Sequence, residues 1–131
     1  MPRDFGNLRR HQRHRIFVLN DQTVLRLHPA LAVEIGLNES LLLLQLEYLI
    51  SISRHEHEGR IWTYQSLNDL HENYFPFLSR ATIGRTLKSL EEKRLIVRGN
   101  FNRAAFDRTA WFALDEEGIA GLTSIRFSEH A

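Results

Sequence analysis

Along the chain, apolar and polar positions change period several times, and each change marks an element. Val24 to Leu27 is apolar enough for a short strand, which His28-Pro29 ends, since a proline drives the residue before it into extended geometry. Ala30 to Ile35 reads as a short helix stopped by Gly36. With Asn38 as N-cap, the next helix spans Glu39 to Arg54. Its leucines and isoleucines cover more than one face, the pattern of a helix buried all round or packed on a second subunit. His55 to Gly59 reads as a polar turn, and the alternating Arg60-Ile61-Trp62-Thr63-Tyr64 as a strand. Ser66 with Asp69 forms a capping pattern ahead of Leu67, Leu70 and Tyr74 at helical spacing. Phe75-Pro76-Phe77 must be a turn. Ser79 caps a helix to Arg94, with Ile83, Leu87, Leu90 and Arg94 on its inner stripe. Leu95 to Arg98 and Thr109 to Leu114 are strands flanking a polar loop, and Asp115 caps a helical turn ending at Gly118 or Gly121. Trp62, Tyr64, Tyr74, Phe75, Phe77, Trp111 and Phe112 are expected in the core, whereas Phe101 and Phe106 in the loop could either anchor it or touch a groove.

Strand, helix, turn, helix, strand, loop, strand over residues 60 to 114 is the order of a winged helix. The expected fold is therefore α+β, a single, mostly helical winged helix-turn-helix domain with a small antiparallel β-hairpin wing. Residues 1 to 15 form a basic arm and 16 to 121 the domain, with the helix-turn-helix at about 66 to 94 and the wing hairpin at about 95 to 114. Residues 122 to 131 are a tail.

Composition and charge refine this picture. The 131 residues are 43% hydrophobic and 25% charged, the balance of a globular chain rather than a disordered or low-complexity one. There is no cysteine, so disulfides, thiolate metal sites and cysteine nucleophiles are excluded. No apolar stretch reaches the roughly 18 residues of a membrane span, and the N-terminus lacks the apolar core of a secretory signal. The expectation is a cytoplasmic protein. The net charge of +1 argues against a nucleic-acid partner until it is placed along the chain. Residues 1 to 15 carry +4, residues 38 to 78 carry −4 and residues 79 to 108 carry +5.

That distribution puts cations on the helix that would read a major groove and on the wing beside it. The candidate DNA-binding residues are Ser79, Arg80, Thr82, Arg85 and Lys88 on the helix, and Asn100, Asn102, Arg103 and Arg108 on the wing. Arg9, Arg10 and Arg13 in the arm complete the set. Arginine can hold guanine or phosphate bidentately, whereas lysine acts as a point charge on phosphate. His55-Glu56-His57 and His11 with His14 could suggest a metal, but no pair has i, i+4 spacing with a third ligand in reach, and no metal or other cofactor is assigned. No nucleophile elbow, glycine-rich phosphate loop or closely set carboxylate pair in an apolar setting is present, so no catalytic residue is assigned either.

The run from Leu78 to Leu114 resembles the recognition helix and wing of bacterial and phage winged helix-turn-helix proteins. Ser79-Arg80-Ala81-Thr82-Ile83 is similar to the opening of GntR-type regulators, a likeness that extends to MarR-like ones. Leu90-Glu91-Glu92-Lys93-Arg94-Leu95-Ile96 is similar to their usual close, with Arg94 where glycine is common. Gly84 stands where a long polar residue often reads DNA, and Ala104-Ala105 where a basic, glycine-containing wing tip is usual. Gly99-Asn100-Phe101-Asn102 with Asp107-Arg108-Thr109 and Trp111-Phe112 resembles phage and mobile-element replication proteins. The resemblance implies binding to double-stranded DNA, in a nucleoid-associated setting, in replication initiation or its control on a phage, plasmid or mobile element. A dimeric, repressor-like transcriptional regulator is the alternative, and a winged-helix protein-interaction module a third. The expected partners besides DNA are replication or transcription proteins and a second copy through the Leu-rich helix 39 to 54.

Overall fold

A computed structural model describes residues 16–21, 23–107 and 109–127. Arg9, Arg10 and Arg13 of the arm, Arg108 of the wing and residues 128–131 lie outside the described residues. Helix α1, Pro29–Ile35, begins on His28, whose Nδ1 accepts the Leu31 N–H at 3.2 Å, with proline in the first turn where its missing N–H is harmless. Gly36 then closes α1 and opens α2, Leu37–Ser51, with no intervening loop. Its N–H donates to Ala32 and its carbonyl accepts from Ser40. Its φ of 110° is glycine territory, and a Cβ there would lie 2.5 Å from the Glu39 carboxylate. Asn38 is thus inside the first turn rather than the N-cap, and the helix ends at Ser51 rather than Arg54. The two helices meet at 117°.

The strand expected at Val24 to Leu27 does not form. That segment is unpaired, with Leu25 packed on the core and the Arg26 guanidinium bound to the Leu44 carbonyl and to Glu47 at 2.6 and 2.8 Å. The polar turn expected at His55 to Gly59 is in fact strand β1, His55–His57, joined to β2, Arg60–Gln65, as an antiparallel hairpin. Its two loop residues, Glu58 and Gly59, both take positive φ, the geometry whose twist suits a two-residue hairpin.

Helix α3, Leu67–Asn73, carries the complete Ser66–Asp69 capping box. Phe75-Pro76-Phe77 turns the chain into α4, Arg80–Glu92, capped by Ser79. Arg94, expected on the inner stripe of α4, is instead exposed beyond its end with φ 61°. There it closes a left-handed C-cap, in which the Leu95 N–H bonds to Leu90 and the Arg94 N–H to Glu91. Strands β3, Ile96–Gly99, and β4, Ala110–Leu114, follow, then α5, Glu116–Ala120, on its Asp115 cap. Gly118 of α5 lies so close to the Arg94 carbonyl that a Cβ would overlap it at 1.5 Å.

The described residues thus form an α+β domain of five helices and one four-stranded antiparallel sheet, ordered β1-β2-β4-β3. Among them no single helix is long and apolar enough to cross a membrane. Alternation along the strands divides the side chains between two faces. Phe112 and Ile96 join the helices in the main core, beside Leu46, Leu70, Phe75, Leu87 and Leu90. Trp62, Trp111 and Ala113 form a second cluster on the other face, with Val97 and Phe101 against it. Two expected core aromatics are not buried: Tyr64 is partly exposed on the outer face and Phe77 is exposed in the turn.

The C-terminal segment is fastened by one carboxylate. Glu34 accepts both the hydroxyl and backbone N–H groups of Ser124 and of Thr123, at 2.5 to 3.1 Å. The Ser124 hydroxyl, followed by the Thr123 N–H, holds its pKa down to about 2 from an ordinary 4.5. A depressed carboxylate stabilises the folded form fully above its unfolded pKa, and the contribution disappears as pH falls through the folded value. The latch is therefore expected to stay closed at pH 5 and to open between about pH 4 and 2. Glu34→Gln should raise amide exchange at Thr123 and Ser124 at neutral pH while leaving exchange in α4 unchanged, as measured by NMR.

Candidate nucleic-acid interface

The orientation of α4 follows from what it buries. Ile83, Thr86, Leu87 and Leu90 are inward, packed on α2, α3 and β3, and the Thr86 hydroxyl is satisfied by the Thr82 carbonyl at 2.7 Å. At 3.6 residues per turn, that stripe forces Ala81, Arg85, Lys88 and Glu92 onto the opposite face, and all four are exposed. Ala81 leaves the first turn of this face without a bulky side chain.

At the helix start, the Ser79 hydroxyl oxygen accepts the Thr82 N–H at 3.1 Å, and the hydroxyl lies 3.0 Å from Thr82 Oγ1. Arg85 donates to the same Thr82 oxygen at 3.0 Å, so its guanidinium is drawn back along the first turn. Arg80 is tied to α3, donating through Nε and Nη2 to Asn68 Oδ1 at 3.1 and 2.6 Å. Arg80 and Arg85 together form an exposed basic rim around the N-terminal end of α4, where unpaired backbone N–H groups and the helix dipole also favour an anion. Other cations counted in the +5 segment do different work. Arg98 pairs with Glu91 at 2.7 Å and lies 4.9 Å over the Phe112 ring, and Lys93 bonds to Ser89.

The loop from Asn100 to Thr109 is held by a closed set of hydrogen bonds. Asn102 donates to the carbonyls of Asp107 and Thr109, both at 2.9 Å, and its amide oxygen accepts the Trp111 indole N–H at 2.8 Å. Asp107 accepts from the Tyr64 hydroxyl at 2.5 Å and from the Thr109 N–H at 2.9 Å. The Tyr64 hydroxyl is the main reason the Asp107 carboxyl lies below its usual range, and the same bond raises the Tyr64 phenol. Asn100 is exposed and its Oδ1 accepts the Asn102 N–H. Arg103 and Phe106 are exposed on this pinned loop.

The Asn102 amide, a candidate for DNA contact, makes three hydrogen bonds within the loop. Gly84, which stands where a long polar residue is common in the proteins it resembles, is half-buried and faces Leu67 of α3. Ser79, Arg80, Thr82, Arg85 and Lys88 do come together around the start and outer face of α4, and Asn100 and Arg103 share the loop. Sequence reasoning missed Asn68, which anchors Arg80, and the Tyr64–Asp107 clamp. Strand position places Tyr64 in the core by sequence, and no local signal pairs it with Asp107, 43 residues away.

His55 and His57 belong to the outer aromatic cluster. His57 stacks on Phe101 at 4.2 Å, and both imidazoles meet the Trp111 ring edge to face. Among the described residues no group of three or more His, Asp or Glu could hold a metal ion. No known family, curated protein or solved structure matches this chain.

The position of Gly84 yields a direct test. A Cβ there would meet only Leu67 Cδ1, at an ordinary 4.0 Å. Gly84→Ala should raise stability by about 0.5–1 kcal/mol through helix propensity, read as a higher midpoint in urea unfolding. Lower stability would mean that α3 and α4 pack more tightly than this geometry allows.

Proposed function

We propose that this chain is a winged helix protein that binds double-stranded DNA, with α4 in the major groove and the loop from Asn100 to Thr109 as the wing. One observation carries the reading: α4 is locked by its inner stripe and turns Ala81, Arg85 and Lys88 outward, beside a basic rim at its N-terminus. Order supports it too, since β2, α3, α4, β3 and β4 follow one another as in a winged helix. Arg85 and Arg80 contact a base edge or phosphate, Lys88 a phosphate, and Arg103 the backbone beside the wing. Ser79 and Thr82 shape the helix start, and Asn102 acts by positioning the wing. The proposal assigns no catalytic residue and no cofactor.

The biological role in this reading is replication initiation or its control on a phage, plasmid or mobile element. It rests on the likeness of the wing residues Gly99-Asn100-Phe101-Asn102 and Asp107-Arg108-Thr109 to replication proteins. Transcriptional regulation is the second reading, favoured by the likeness of the α4 opening to GntR-type regulators. Selection from random DNA pools separates them: direct repeats favour an origin and a palindrome favours a dimeric regulator.

Binding to duplex DNA, followed by fluorescence anisotropy, should weaken steeply with salt, because each phosphate neutralised releases condensed counterions. Arg85→Ala should weaken binding by about tenfold, and Lys88→Ala should reduce the salt slope by about one unit. Arg80→Ala and Arg85→Ala should both exceed Arg3→Ala. Equal losses for all three would point to diffuse charge without a reading helix, and no binding at low salt would remove DNA as the ligand.

A further inference from the structure

Helix α2 is the most apolar element, yet most of it is used within its own domain: Leu42, Leu43, Leu46 and Leu49 are buried in the chain's own core. What it leaves at its C-terminal end is narrower than a whole helix face. Tyr48 and Ile52 are exposed there, and with Val24, Leu49 and Tyr74 they line an open groove of about 570 Å³. The rim of that groove carries no net charge, because Arg26 is paired with Glu47 at 2.8 Å.

A few residues upstream, the same chain carries an apolar segment that no other described residue covers. Ile16, Phe17, Val18 and Leu19 are 78%, 69%, 79% and 62% exposed. Four consecutive side chains at this exposure show that the described residues leave the run uncovered. The run is uncharged, and four such residues in sequence are more than scattered surface apolarity explains. Between it and the groove, the Asp21 carboxylate accepts the Thr23 N–H at 2.8 Å.

We infer that Ile16 to Leu19 is an exchange arm that fills the apolar groove at the end of α2 in a second copy of this chain. Both halves of the contact are on one molecule: a neutral apolar run without a groove, and a neutral apolar groove without an occupant. When the arm of one copy seats on its partner, a two-fold axis seats the partner's arm in return. The pair closes with no apolar end left over, so it stops at a dimer and does not grow into a filament. This inference needs no DNA and stands or falls independently of the binding proposal.

The chain has no cysteine, which makes a pairwise test clean. Single variants V18C and I52C are mixed in equal amounts without DNA and oxidised, and the masses of the disulfide-linked products are read. The expected main product joins V18C of one copy to I52C of another, and sedimentation of the unaltered chain at about 100 μM gives twice the monomer mass. Phe17→Ser with Val18→Ser, on exposed positions, should return the chain to monomer mass with an unchanged circular dichroism spectrum. A monomeric unaltered chain overturns the inference. So does a product dominated by V18C joined to V18C, which would mean arm against arm. Closure of the V18C/I52C double variant within one chain at high dilution would show the arm folding back on its own groove, and overturns it equally.

Discussion

The structure depends on the burial of one stripe of one helix. Ile83, Leu87 and Leu90 of α4 are inserted among α2, α3 and the sheet, essentially without exposure. Each such side chain contributes roughly 1.5–3 kcal/mol relative to exposure, and rotating the helix by one residue would forfeit much of that while burying Arg85 or Lys88. Apolar burial therefore decides where the charges go. Because the inner stripe cannot move, the outer stripe is presented at a fixed angle, with Arg80 held against α3 by Asn68 and Arg85 against Thr82. A side chain positioned in this way loses less freedom on binding than one that is loose.

The same logic extends to the loop beside it. A sheet of four short strands has two faces to cover, and the helices cover only one. The other is closed by Trp62, Trp111 and Phe101, with the imidazole of His57 stacked on Phe101. The Trp111 indole N–H needs a partner there, and Asn102 supplies it while gathering the Asp107 and Thr109 carbonyls. Tyr64, on the same face, completes the clamp through Asp107. Packing of the outer face and ordering of the loop are thus one event, and Arg103 projects from a loop that is already shaped.

Much of this was legible in the sequence where local rules are strong. The Ser66–Asp69 box, the Ser79 cap, the 3.6-residue stripe of α4 and the β3–β4 hairpin all follow from nearby residues, and the structure has them. The departures arise where a distant partner or a special backbone decides. His55-Glu56-His57 is polar and looks like a turn, but Glu58 and Gly59 can both take positive φ, and so it pairs with β2 as a strand. Asn38 looks like a cap, but Gly36 can end one helix and start the next. Arg94 fits the inner stripe by spacing, yet α5 and the turn into β3 require the helix to stop before it. At the site, charge and spacing identify Arg80, Arg85 and Lys88. No local signal shows that Asn102 faces inward, because its partners are Trp111 and the far side of its own loop.

In the proposed binding mode, the outer face of α4, with the pinned loop beside it, is the surface that meets duplex DNA. Titration of the isotopically labelled protein with a short duplex, followed by backbone amide NMR, tests this residue by residue. The largest shifts are expected at Ser79 to Arg85, Lys88 and Asn100 to Arg103, with Leu42 to Leu46 in the core of α2 little changed. Binding that shifts other surfaces while leaving α4 and the loop unperturbed would contradict this mode.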